Sequence, residues 1–127
     1  MRSLLHAAVC VTVICLGNAS AYAQGKACLL EGTFKFGSQS TVISDCLENR
    51  GVPDGQFKQM CEGMSQFTVV DQTFKAKLTY LPACPAKAQG VCEGIFEMPL
   101  DAHYYKREPK TLEDTKKSCL AQKSKWR

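Results

Sequence analysis

Cysteine usage constrains this chain more than any other feature. Of its eight cysteines, Cys10 and Cys15 lie in an apolar leader, and six remain: Cys28, Cys46, Cys61, Cys84, Cys92 and Cys119. An even set in an exported chain reads as a framework of three disulfides. Many pairings are possible, and spacing alone does not choose among them. Cys84 and Cys92, with Pro85 between them, suggest a local staple over the CPAKAQGVC loop.

Export is read from the leader. Met1 and Arg2 give a positive start, residues 4–16 are apolar apart from His6 and Thr12, and Gly17, Asn18 and Ser20 lead into Ala21-Tyr22-Ala23. That order of regions is the one a signal peptidase recognises. The apolar run is shorter than the about 20 residues a membrane span needs. Residues 1–23 are therefore expected to be a removable signal, with Gln24 the new N-terminus. Residues 24–127 are expected to form a single disulfide-stapled globular domain, periplasmic or secreted. No lipid anchor is expected: Val9 precedes Cys10, Ile14 precedes Cys15, and the charged Lys26 lies just ahead of Cys28. In so small a domain apolar burial stabilises only marginally. Each bridge contributes about 2–4 kcal/mol.

Hydrophobic periodicity sets the fold class. Leu30, Gly32, Phe34 and Phe36 alternate with Leu29, Glu31, Thr33 and Lys35, which predicts a strand. A second short strand follows at 41–43. Asp45 and Glu48 form a capping-box pattern that predicts a short helix carrying Cys46 and Leu47, stopped at Gly51. Asp54 caps a better helix, about 54–66, whose apolar stripe is Phe57, Met60, Cys61, Met64 and Phe67. Residues 67–70 and 74–80 predict strands, as do 95–98 and 102–106. Thr111 and Asp114 open a last helix, about 111–124, supported by a Glu113–Lys117 pair. The sum is an α+β domain: a small antiparallel sheet with two main helices, disulfide-stabilised, the bridges tying helices to strands. Cys61 followed by Phe67 is echoed by Cys119 followed by Trp126, each a helix, a cysteine and then an aromatic residue.

Few chemistries find their residues here. Beyond the leader there is one histidine, His103, and there is no C-x-x-C, H-x-x-x-H or glycine-rich phosphate loop. No metal and no cofactor is expected. Asp101 and His103 would share a strand face, as an orienting pair does, yet no nucleophile elbow accompanies them. Glu93 and Glu97 offer paired carboxylates without a cleft to hold them. Charge is uneven: residues 24–105 carry seven basic and nine acidic side chains, and residues 106–127 carry eight basic and three acidic. The basic tail suits a solvated helix or an anionic envelope component. The best candidate contact surface is Tyr104, Tyr105, Lys106 and Arg107, aromatics beside bases.

Cys84-Pro85, then Cys92, Tyr104-Tyr105, Cys119 and Trp126 form a layout that resembles small exported bacterial proteins of uncharacterised role, over roughly 61–127. Those relatives often carry Gly-Gly before the closing Trp, where this chain has Ser124 and Lys125. The resemblance implies a bacterial, extracytoplasmic, cysteine-stabilised domain, and it carries no activity. The expectation is a non-enzymatic binding protein of the envelope or extracellular space, its partner a protein or anionic envelope component. No specific nucleic acid and no membrane span is expected. The alternatives are an inhibitor of a secreted hydrolase and a small hydrolase using His103.

Overall fold

The computed structural model describes residues 26–69 and 71–127. Val70 and residues 1–25, on which the expected signal and its cleavage before Gln24 fall, lie outside the described residues. Eight strands and two helices follow in the order β1 (Ala27–Phe36), β2 (Gln39–Asn49), α1 (Asp54–Met64), β3 (Gln66–Val69), β4 (Gln72–Lys75), β5 (Lys77–Leu81), β6 (Gly90–Glu93), β7 (Leu100–Tyr104), α2 (Pro109–Ala121) and β8 (Lys125–Trp126). Six strands form one antiparallel sheet ordered β5-β1-β2-β7-β6-β8, and β3 and β4 form a separate hairpin. This is the α+β, disulfide-stabilised architecture that the periodicity predicts.

The strand order reads alike from either edge. In each half, two hairpin strands are followed by a helix, and a later strand returns to pair with the first: β5 with β1, β8 with β6. One cross-strand row makes this concrete. Tyr80, Cys28, Leu47, Ala102, Cys92 and Trp126 lie opposite one another in succession across all six strands. The row runs aromatic, cysteine, aliphatic, then aliphatic, cysteine, aromatic, so an approximate two-fold falls between Leu47 and Ala102.

The bridges respect that symmetry. Cys28 of β1 joins Cys61 of α1, and Cys92 of β6 joins Cys119 of α2. Each half thus pins its helix to its first strand, as the shared helix–cysteine pattern suggests, but the aromatic part of the echo does not hold: Trp126 lies in the six-stranded sheet opposite Cys92, whereas Phe67 lies in the β3–β4 hairpin. The third bridge, Cys46–Cys84, ties β2 to the loop after β5. The expected local staple is corrected: Cys84 and Cys92 do not pair, because residues on opposite faces of the sheet claim them.

Successive residues of a strand face opposite ways. One face carries the core beneath the helices: Cys28, Leu47, Val52, Phe57, Cys61, Cys92, Ile95, Leu100, Ala102 and Cys119. A second cluster, Leu30, Phe34 and Ala76 with Phe67 and Phe74, fills the far end of the β1–β2 hairpin, where the Phe34 and Phe67 rings meet edge-on at 4.7 Å. Trp126 stacks on Tyr104 and covers Gly90, where a Cβ would lie 2.0 Å from the indole.

Three local expectations are corrected. Residues 45–49 are central strand, not helix: β2 pairs with β1 on one side and β7 on the other, and two ladders outweigh a local capping pattern. Asn49 then closes the turn, accepting from the N–H groups of Gly51 and Val52 at 3.1 and 2.7 Å. The strand expected at 74–80 breaks at buried Ala76, whose N–H donates to Ser65 O at 2.7 Å. Residues 95–98 form a 3-10 turn instead of a strand. The helix ends also shift. Pro53, not Asp54, occupies the N-cap of α1, and α2 begins at Pro109, a residue suited to a first helical turn.

Candidate functional site

The sheet face away from the helices carries a row of acidic side chains. Glu48 of β2, Asp101 of β7 and Glu93 of β6 stand directly opposite one another. Like charges in a cross-strand row repel. Two arginines offset this: Arg50 Nη1 donates to Asp101 Oδ2 at 2.8 Å, and Arg127 Nε donates to Glu93. Asp101, only 2% exposed, also accepts from Gly94 N–H at 3.1 Å.

His103 lies in the next row on the same face, two residues along β7 and opposite Cys46. It is 8% exposed, and among the described residues no hydrogen-bond partner reaches its Nε2. Burial pushes its imidazole below the ordinary value of 6.5, against the pull of Glu48, Asp101 and Glu93 and with the push of Arg127. Glu48 Oε2 lies 3.8 Å from Nε2 and accepts from Cys84 N–H at 3.0 Å. Ligand atoms of Glu48, Cys84 and His103 lie within 4.8 Å of one another. Cys84 Sγ is bonded to Cys46. With the bridge closed, the set offers one imidazole and one carboxylate, short of the four ligands of a structural zinc site. Asp101 and His103 do share a strand face. Asp101 turns its oxygens to Arg50 and Gly94, however, and does not orient the imidazole. Glu93 and Glu97 are separated, the former on β6 and the latter in the 3-10 turn.

The four-residue contact set divides. Tyr104 packs under Trp126, and the Arg107 guanidinium sits 4.9 Å from the centre of its ring. Arg107 Nη2 also donates to Asp45 Oδ2 at 2.6 Å. Burial still holds the Asp45 carboxyl above its usual range, against the pull of Arg107. Tyr105 points the other way and donates its hydroxyl to Pro85 O at 2.6 Å, pinning the 82–89 loop. Lys106 is exposed. Tyr104 and Arg107 thus serve internal packing, Tyr105 the loop, and Lys106 faces solvent.

A different feature stands out, and the alternation in the sequence conceals it. Between β6 and β7, Gly94, Phe96 and Glu97 have φ of 72°, 57° and 57°. Left-handed backbone is costly for a bulky residue such as Phe. Phe96 is also 57% exposed, the most exposed of the large hydrophobic side chains among the described residues. The corner is held at both ends. Ser124 Oγ donates to Gly94 O at 3.2 Å, Arg50 N–H donates to Pro99 O at 2.9 Å, and Ile95 is buried in the core. Leu120, 52% exposed, lies just before the turn that carries Ser124. The flanking Gly94 and Pro99 are the signal in the sequence that marks a turn here instead of a strand.

No family model, curated protein or solved structure matches this chain. Among the described residues no helix is long and apolar enough to cross a membrane. Three disulfides fit folding outside a reducing cytoplasm.

Proposed function

We propose that this is an exported binding protein without catalytic activity of its own, periplasmic or secreted, that grips a protein partner through the Phe96–Glu97 corner. The observation that carries the reading is an exposed aromatic ring held on left-handed backbone in an anchored turn. A residue in such a backbone region costs about 1–3 kcal/mol. Leaving a phenyl ring in water forgoes about 1.5–3 kcal/mol of burial. Among the described residues Phe96 stays 57% exposed, so part of the second cost remains, and a partner pocket closing over the ring recovers it. A preset corner also loses little freedom on binding, which is how preorganised contacts gain affinity. Aromatic anchors commonly dominate interface energetics.

The test compares the mature protein with Phe96→Ala as bait for the exporting cell's envelope and medium proteins. The partner is expected to bind the variant about thirtyfold more weakly, a loss of about 2 kcal/mol, while the melting temperature is maintained. A partner held equally by both proteins overturns the reading. Inhibition of a secreted hydrolase is the specific form that an exposed ring on an anchored corner favours, since such a ring suits a concave cleft. Dose-dependent loss of lysozyme or protease activity, relieved by Phe96→Ala, identifies it.

A further inference from the structure

The three bridges are not equally protected. Cys28, Cys46, Cys61, Cys92 and Cys119 are each 4% exposed or less, whereas Cys84 is partly exposed. Its bridge also differs in what it holds: it ties a loop to β2, where the other two each clamp a helix to a strand. Beside it stands a buried imidazole with an unpartnered nitrogen, within 4.8 Å of Cys84 Sγ, and a carboxylate that already holds the Cys84 backbone. Among the described residues no hydrogen bond uses that nitrogen.

We propose that Cys84 is an exchange site for small-molecule thiolates, with His103 as the neighbour that stabilises the Cys84 thiolate. In the first step an external thiolate attacks Cys84 Sγ from the exposed side. A bond forms between the two sulfurs, the Cys84–Cys46 bond breaks, and Cys46 Sγ leaves with the electron pair. In the second step another thiolate attacks the external sulfur of the mixed disulfide. A symmetric small-molecule disulfide is released, and Cys84 leaves as a thiolate. The bridge has gained two electrons from two thiols, and each protein thiolate takes a proton from solvent according to its pKa. Alternatively Cys46 re-attacks Cys84 and expels the small thiolate, which restores the bridge. Attack at Cys84 is favoured by access, since Cys46 is fully buried. The imidazole lies within 4.8 Å of Cys84 Sγ, and the new negative charge of a Cys84 thiolate favours the imidazolium. Glu48 on β2, Asp101 on β7 itself, and Glu93 and Arg127 toward the β6–β8 edge are the charges that face this imidazole.

The experiment treats the mature protein with glutathione, quenches by alkylation at intervals, and maps the labelled peptides. Cys46 and Cys84 are expected to open about tenfold faster than the other four cysteines, with glutathione found on Cys84. Simultaneous opening of the three bridges, earlier opening of either buried bridge, or glutathione on Cys46 overturns the proposal. The role of His103 is read separately in a Cys46→Ala protein, in which Cys84 is a free thiol without any reductant. The pH profile of its alkylation is expected to shift upward when His103→Gln is added, while the circular dichroism of the two proteins matches. Coincident profiles reject His103 as the stabilising neighbour. Neither measurement involves Phe96, so it stands or falls apart from the binding reading.

Discussion

Single side chains carry two costs that can be measured. Arg107 both covers Tyr104 and balances Asp45, whose carboxyl burial has pushed upward. Removing the guanidinium leaves a partly buried carboxylate without its counter-charge. Arg107→Ala is therefore expected to lower stability by about 1–3 kcal/mol in denaturant titration. An unchanged midpoint would mean that Arg107 is free for an external contact instead. His103 is the second case. Its pKa is depressed, so the unfolded chain binds a proton that the folded chain resists. The sign follows: the contribution is intact above the ordinary value of 6.5 and is lost as pH falls through the depressed folded value. Wild type is expected to lose more stability than His103→Gln between about pH 7 and 5. Parallel stability curves would contradict the buried neutral imidazole. Asp45 titrates the opposite way at lower pH, and the comparison with His103→Gln cancels it.

At the scale of elements, the Phe96 corner carries its own prediction. If left-handed backbone is the main cost there, Phe96→Gly is expected to leave the melting temperature unchanged or raise it by up to about 1 kcal/mol equivalent. A loss above about 2 kcal/mol would make the ring a packing element. The elements also show what a sequence reveals. The alternation at 29–36 and the stripe at Phe57, Met60 and Cys61 are local and sit over a single buried face, so they were legible. Residues 45–49 form a strand flanked on both edges, and its pattern mixes Leu47 for one face with Cys46 and Glu48 for the other. A capping box was therefore the stronger local signal. The corner at 94–99 depends on φ values that no side-chain pattern records beyond Gly94 and Pro99. For the same reason Tyr104 to Arg107 read as one surface, although strand alternation sends Tyr104 and Tyr105 to opposite faces.

The whole molecule is two like halves sharing one sheet, each helix bonded to its own first strand and each half closed by an aromatic residue in the common row. Cysteine partners were illegible because each bridge joins residues 27 to 38 positions apart, brought together only by tertiary pairing. Among the described residues the fold leaves one exposed aromatic side chain on left-handed backbone, Phe96 between β6 and β7, and the binding account rests on it. The most direct test places a photo-activated cross-linking residue at position 96, and at exposed Lys116 as a comparison, in the full chain expressed in the producing cells. Irradiation of the producing cells is expected to give one discrete adduct from position 96 that excess wild-type protein competes away, with none from position 116. Equal adducts from both positions, or none from position 96, would contradict the claim that this corner is the contact surface.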